Sequence, residues 1–76
     1  MKQIFKQRMN GRTVETYGVG KIVHVAMQDQ FICFWYEYDH RVDRREFTIV
    51  GTGHDFDGEY IGTVQDGSFV WHLIEI

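Results

Sequence analysis

Apolar and polar residues alternate along much of this chain with the two-residue period of half-buried β-strands, not the 3.6-residue period of helices. From Ile22 to Gln28 the alternation sets Val23, Val25 and Met27 on one face and Ile22, His24 and Ala26 on the other. Asp29-Gln30 supplies a tight turn, and residues 31–38 return as a second strand. On that strand Ile32, Phe34, Tyr36 and Tyr38 share one face, while Phe31, Cys33, Trp35 and Glu37 share the other. Its first half is therefore apolar on both sides. A strand of this kind is covered twice, by the core and by a second surface, for which another copy of the chain is a candidate.

The same reading extends outward. Residues 3–8 form a first strand closed by Asn10-Gly11, and residues 12–17 form another that ends at Gly18-Val19-Gly20. Residues 45–50 place Phe47 and Ile49 inward. Residues 59–65 and 69–76 are joined by Asp66-Gly67, a strong hairpin signal, and the last run sets Val70, His72, Ile74 and Ile76 opposite Phe69, Trp71, Leu73 and Glu75. No helical stripe exceeds two turns. The expected fold is all-β, a small antiparallel curled sheet or barrel of six or seven short strands, in a single domain spanning 1–76.

Composition changes this picture in three ways. At 76 residues, a lone hydrophobic core supplies only roughly 3–5 kcal/mol of net stability. Cys33 is the only cysteine, which excludes an intrachain disulfide; in its apolar run it reads as a small buried hydrophobe in a reducing, intracellular setting. Proline, one device for blunting exposed strand edges, is absent. Together with the doubly apolar strand, these features lead us to expect a homo-oligomer, dimer or higher. No stretch resembles a signal peptide or approaches the roughly 18 apolar residues of a membrane span. The net charge of −3 argues against sequence-independent nucleic-acid binding. Arg41, Arg44 and Arg45 nevertheless cluster, and a local basic patch of that size suits a small anion.

Candidate chemistry gathers around residues 51–58. Gly51-Thr52-Gly53 follows a strand and can turn successive N–H groups toward one point, a nest for phosphate or carboxylate; the simpler alternative is a bulge or turn that ends the strand. His54-Asp55-Phe56-Asp57 matches no zinc or calcium spacing, so no metal and no cofactor is expected, and the stretch reads as an exposed acidic loop anchored by Phe56. His24 and His72 fall within strands and could meet across the sheet. Ser68 lies in a turn without the strained elbow of a nucleophile, and no carboxylates pair on rigid elements, so an enzyme is not favoured. The candidate binding residues are Arg44, Arg45, Thr52, Gly53, His54, Tyr60, Trp71 and His72. Arginine forks suit phosphate and rings suit a base, although the same side chains suit a protein-binding face.

The segments Phe47-x-Ile49-x-Gly51-Thr52-Gly53-His54, Tyr60-Ile61-Gly62-Thr63 and Phe69-Val70-Trp71-His72, with the opening "MKQIFK", carry a family likeness. Over residues 1–6 and 21–76 the chain resembles an uncharacterised family of short bacteriophage-encoded proteins. Its loop "YDHRVDRR" departs from the proline-bearing versions of that family. The resemblance transfers no catalytic residue. It implies a viral protein acting in the host cytoplasm, where small accessory proteins act by binding. The expected function is sequestration of a small anionic, nucleotide-like ligand, such as a host antiviral immune signal. The alternative is a protein-interaction inhibitor of a host defence or nucleic-acid-processing enzyme.

Overall fold

A computed structural model describes all residues, 1–76, and contains seven strands. These are β1 (Ile4–Arg8), β2 (Thr13–Thr16), β3 (Val19–Gln28), β4 (Phe31–Tyr38), β5 (Arg45–Gly51), β6 (Glu59–Asp66) and β7 (Phe69–Glu75). They form two antiparallel sheets, one ordered β1-β4-β3 and the other β2-β5-β7-β6. No helix is long and apolar enough to cross a membrane. The all-β reading holds, and each strand lies close to its expected place.

Two tight hairpins fix the registers. Gln28 pairs with Phe31, leaving Asp29 (φ 52°) and Gln30 (φ 70°) as the two central residues of the β3–β4 turn. Positive φ at both is the type I′ signature, whose twist matches that of the strands it joins. Asp66 pairs with Phe69 around Gly67 and Ser68, with Gly67 at φ 60°.

The core lies between the sheets. Ile32, Phe34 and Tyr36 of β4 and Val19 of β3 meet Phe47, Val64 and Leu73 of the opposite sheet, with Met9 closing one end. The Phe34 and Phe47 rings pack 4.8 Å apart at 49°. Each fully buried side chain of this size contributes roughly 1.5–3 kcal/mol.

Strict alternation fails in the first half of β3. The β3–β4 register slips between Val19 and Ile22 and again between Ile22 and His24. Each extra residue flips the side chains that follow. Ile22 therefore joins Val25 and Met27 against the core, while Val23 stays 45% exposed.

Part of the outer side of β4, around Cys33, is covered from within the chain. The Lys6 ammonium reaches across β4 to the Gln28 amide oxygen, and the Arg8 guanidinium lies 4.2 Å from the Phe31 ring centre. Beneath this roof Cys33 is buried.

Of the two expected forms, curled sheet or barrel, the closed barrel is not the one adopted: the two sheets stay separate. β3 and β6 face one another without a hydrogen-bonded ladder. Both are bulged where they meet, β3 at Val23 and β6 at Ile61, which throws their backbone groups out of phase. Side-chain packing takes the ladder's place. A Cβ on Gly62 would stand 2.9 Å from Val25 Cγ2, so the seam closes because this position has no side chain.

Candidate functional site

β5 ends at Gly51, and the chain reverses there through a hydrogen-bonded turn. The His54 N–H donates to the Gly51 carbonyl at 3.2 Å. Gly53, third in the turn, has φ 90°, the left-handed geometry that a type II turn demands. A Cβ at Gly53 would meet nothing within 4 Å, so glycine serves the backbone here and not a close approach. The N–H groups of Thr52 and Gly53 take no partner within the chain. The segment is thus a turn that ends a strand while presenting two free amides.

On the outer face of the four-stranded sheet this turn meets a line of polar side chains. Thr52 Oγ1 lies 2.8 Å from His72 Nε2, and Thr63 Oγ1 lies 2.9 Å from His72 Nδ1. Thr63 Oγ1 also bonds to the Tyr60 hydroxyl. The hairpin register creates the arrangement by pairing Thr63 directly with His72. Both imidazole nitrogens have a hydroxyl partner, and either hydroxyl can donate or accept. Thr52, His72 and Thr63 have the outline of nucleophile, base and orienter. The orienter is a neutral hydroxyl, however, and no carboxylate sits behind the imidazole to stabilise its protonated form. The line orders these side chains around the imidazole.

A groove opens on the other side of the turn. Gly51, Thr52, His54, Ser68, Phe69, Val70 and Trp71 border a cavity of about 460 Å³. A Cβ on Gly51 would stand 3.8 Å from the His54 ring and 3.9 Å from the Trp71 ring, so the two rings flank bare backbone. Phe69, 64% exposed, stacks on Trp71 with centres 6.3 Å apart at 23°. The volume falls in the range of small-ligand sites, and the lining is mainly apolar with a few hydroxyl and ring-nitrogen groups.

The eight expected binding residues divide into two groups. Thr52, Gly53, His54, Tyr60, Trp71 and His72 gather at the turn. Arg44 and Arg45 lie at the other end of β5, about 20 Å away at the usual rise per strand residue. Arg44 pairs with Glu15 on the surface at 3.0 Å. Arg45 is committed to the fold: Nε and Nη2 bond to the Glu75 carboxylate at 2.9 and 2.6 Å, and Nη1 bonds to the Val19 and Gly20 carbonyls at 2.7 and 2.8 Å. This clasp ties the four-stranded sheet to β3. The hydrogen bond from Arg45 holds the Glu75 carboxyl below its usual range, against the opposing effect of burial. Sequence reasoning grouped these arginines with the rings because residue type does not show which guanidinium is already engaged.

His24 does not meet His72; it sits in the other sheet, 5.5 Å from the Trp35 ring. The 55–57 loop is exposed as expected, but Phe56 is itself 48% exposed and does not anchor the loop in the core. No three His, Cys, Asp or Glu side chains converge in a metal-holding arrangement. Thr63, Ser68 and Phe69 belong to the site although sequence reasoning passed over them. Counting the two-residue hairpin back from Asp66–Phe69 places Thr63 opposite His72, and that signal was available.

The whole chain, residues 1–76, matches the family described as a domain of unknown function (DUF7352), and the protein belongs to that family. No curated protein and no solved structure matches it.

Proposed function

We propose that this domain is a binding module that seats a small, planar, anionic ligand of nucleotide type in the groove beside the glycine turn. One observation carries the reading: the turn leaves the Thr52 and Gly53 amides unpartnered, and its Thr52 borders a groove walled by His54, Phe69 and Trp71. A base would stack on the Trp71–Phe69 pair, and the anionic end would reach the amides, the Thr52 and Ser68 hydroxyls and the His54 ring. His72, pinned between Thr52 and Thr63, fixes the hydroxyl at the rim. The arginines support the fold and take no part in this site.

The likeness to short phage proteins supplies a setting. A phage accessory protein in the host cytoplasm that sequesters an antiviral nucleotide signal needs binding and no turnover. Action as a homo-oligomer belongs to the same reading, since a second copy at the open side would cover Phe69. The test is native mass spectrometry of freshly purified protein, followed by melting with a panel of mononucleotides and cyclic dinucleotides. A ligand at about 100 times its Kd stabilises by roughly 2.7 kcal/mol, or about 10–20 °C in Tm for a domain of this size. No shift with any member of the panel, and no co-purified small molecule, would sink the proposal.

A second reading, inhibition of a host defence or nucleic-acid-processing enzyme by direct contact, draws on a different surface. Phe5 and Tyr38 stack 4.6 Å apart at 11°, yet each remains about 40% exposed, and Tyr17 is 66% exposed. Exposed rings of this kind are characteristic of protein-binding hot spots. A stoichiometric host protein retained by the wild type and lost with Phe5→Ser would favour it; retention unaffected by that change would count against it.

A further inference from the structure

Charge is unevenly distributed between the two sheets. β1, β3 and β4 carry Lys6, Arg8 and Lys21 against one carboxylate, Glu37, which Lys2 pairs at 3.5 Å. The other sheet carries Arg45 against Glu15, Glu46, Glu59, Asp66 and Glu75. A sum over the whole chain hides this separation, and the outer face of the three-stranded sheet is locally basic.

That face also carries rings. Across it Lys6, Trp35 and His24 stand in one row, and Arg8, Cys33 and Ala26 in the next. Trp35 is half-buried, with the His24 ring 5.5 Å away at 45°. Phe31, 40% exposed, lies under the Arg8 guanidinium. Arg8 donates through Nε to Asn10 Oδ1 at 3.1 Å, which fixes the guanidinium while leaving its terminal nitrogens open. Trp35 and Phe31 point the same way on one strand, about 13 Å apart.

We infer that this face binds single-stranded nucleic acid, with unpaired bases stacking on Trp35 and on the Arg8–Phe31 pair and the backbone phosphates meeting Lys6 and Arg8. A shallow antiparallel sheet with rings at its centre and cations between them complements a flexible polyanion whose bases are free to stack. A duplex hides its base faces and offers such a platform little. The surface is separate from the groove at the glycine turn, so either can hold if the other fails.

The test is fluorescence anisotropy of a labelled oligothymidylate, its RNA counterpart oligouridylate, and a duplex of the same length. The single strands should bind more tightly than the duplex. Two phosphate contacts imply about a sevenfold weakening between about 50 and about 200 mM salt. Lys6→Gln with Arg8→Gln should weaken binding about tenfold or more while the circular dichroism spectrum stays unchanged, and Trp35→Leu should weaken it by a similar factor. Because Trp35→Leu also risks the fold, the two surface substitutions carry the decision. No anisotropy change up to about 100 μM protein, tighter binding of the duplex, or equal binding by the Lys6→Gln/Arg8→Gln protein would overturn the inference.

Discussion

Replacing Arg45 with alanine removes four hydrogen bonds at once, two to Glu75 and two to the Val19 and Gly20 carbonyls. The size of the loss follows from the setting. Breaking a fully buried pair costs about 3–5 kcal/mol, because the surviving charge is left without a partner. A fully exposed pair is worth about 0–1 kcal/mol. The Arg45 and Glu75 side chains are 23% and 22% exposed, nearer the first limit but with some access to water. Arg45→Ala should therefore cost about 2–3 kcal/mol, or about 10–20 °C in Tm. Arg45→Lys keeps the charge but not the fork, and should lose about half as much. The assay is urea unfolding followed by tryptophan fluorescence, with Arg45→Ala and Glu75→Gln combined in a double-mutant cycle. Coupling of about 1 kcal/mol or more is expected. The acid limb gives an independent check. Because the folded-state pKa of Glu75 is depressed, its contribution is complete above the unfolded value of about 4.3 and disappears as pH falls through the folded one. Arg45→Ala should flatten that part of the stability profile. A loss below about 0.5 kcal/mol, or no coupling, would refute the clasp.

Three further outcomes are expected. Gly62→Ala places a Cβ against Val25 at the β3–β6 seam and should destabilise by about 1–3 kcal/mol in the same urea assay, with Val25→Ala recovering part of the loss; strict additivity would exclude the clash. Cys33, 1% exposed, should resist an aromatic disulfide reagent in the native protein and react fully in urea, and rapid native labelling would contradict its burial. The Asp39 carboxyl is held down at about 2, first by its side-chain bonds from Arg41 and then by the Arg41 N–H. Its contribution is present above about 3.9 and fades toward pH 2, and Arg41→Ala should move its NMR titration midpoint back toward about 3.9; an unchanged midpoint would refute that pairing.

Much of the fold was legible because short strands between strong turns leave little freedom of register. Asp29-Gln30 and Asp66-Gly67 locate two hairpins, and the pairing of Thr63 with His72 follows by counting. The bulges were not legible. Nothing in Ile22-Val23-His24 announces the extra residue that moves Ile22 inward and Val23 outward, because the bulge answers to a seam with β6 formed far along the chain. The candidate site shows the same division. Residues 51–54 and 71–72 form one locality through adjacent strands, which a strand-by-strand reading captures. Arg45 was misplaced because its partners, Glu75, Val19 and Gly20, come from both ends of the sequence.

The central claim is that the groove beside the glycine turn receives a small nucleotide-like ligand, and an amide NMR titration of the ¹⁵N-labelled protein with the panel tests it most directly. The expected result is saturable shifts at the Thr52, Gly53, His54 and Ser68 amides and at the Trp71 indole, with the four amide shifts reduced in Trp71→Ala. Spectra unchanged by every nucleotide, or shifts confined to the three-stranded sheet, would contradict it.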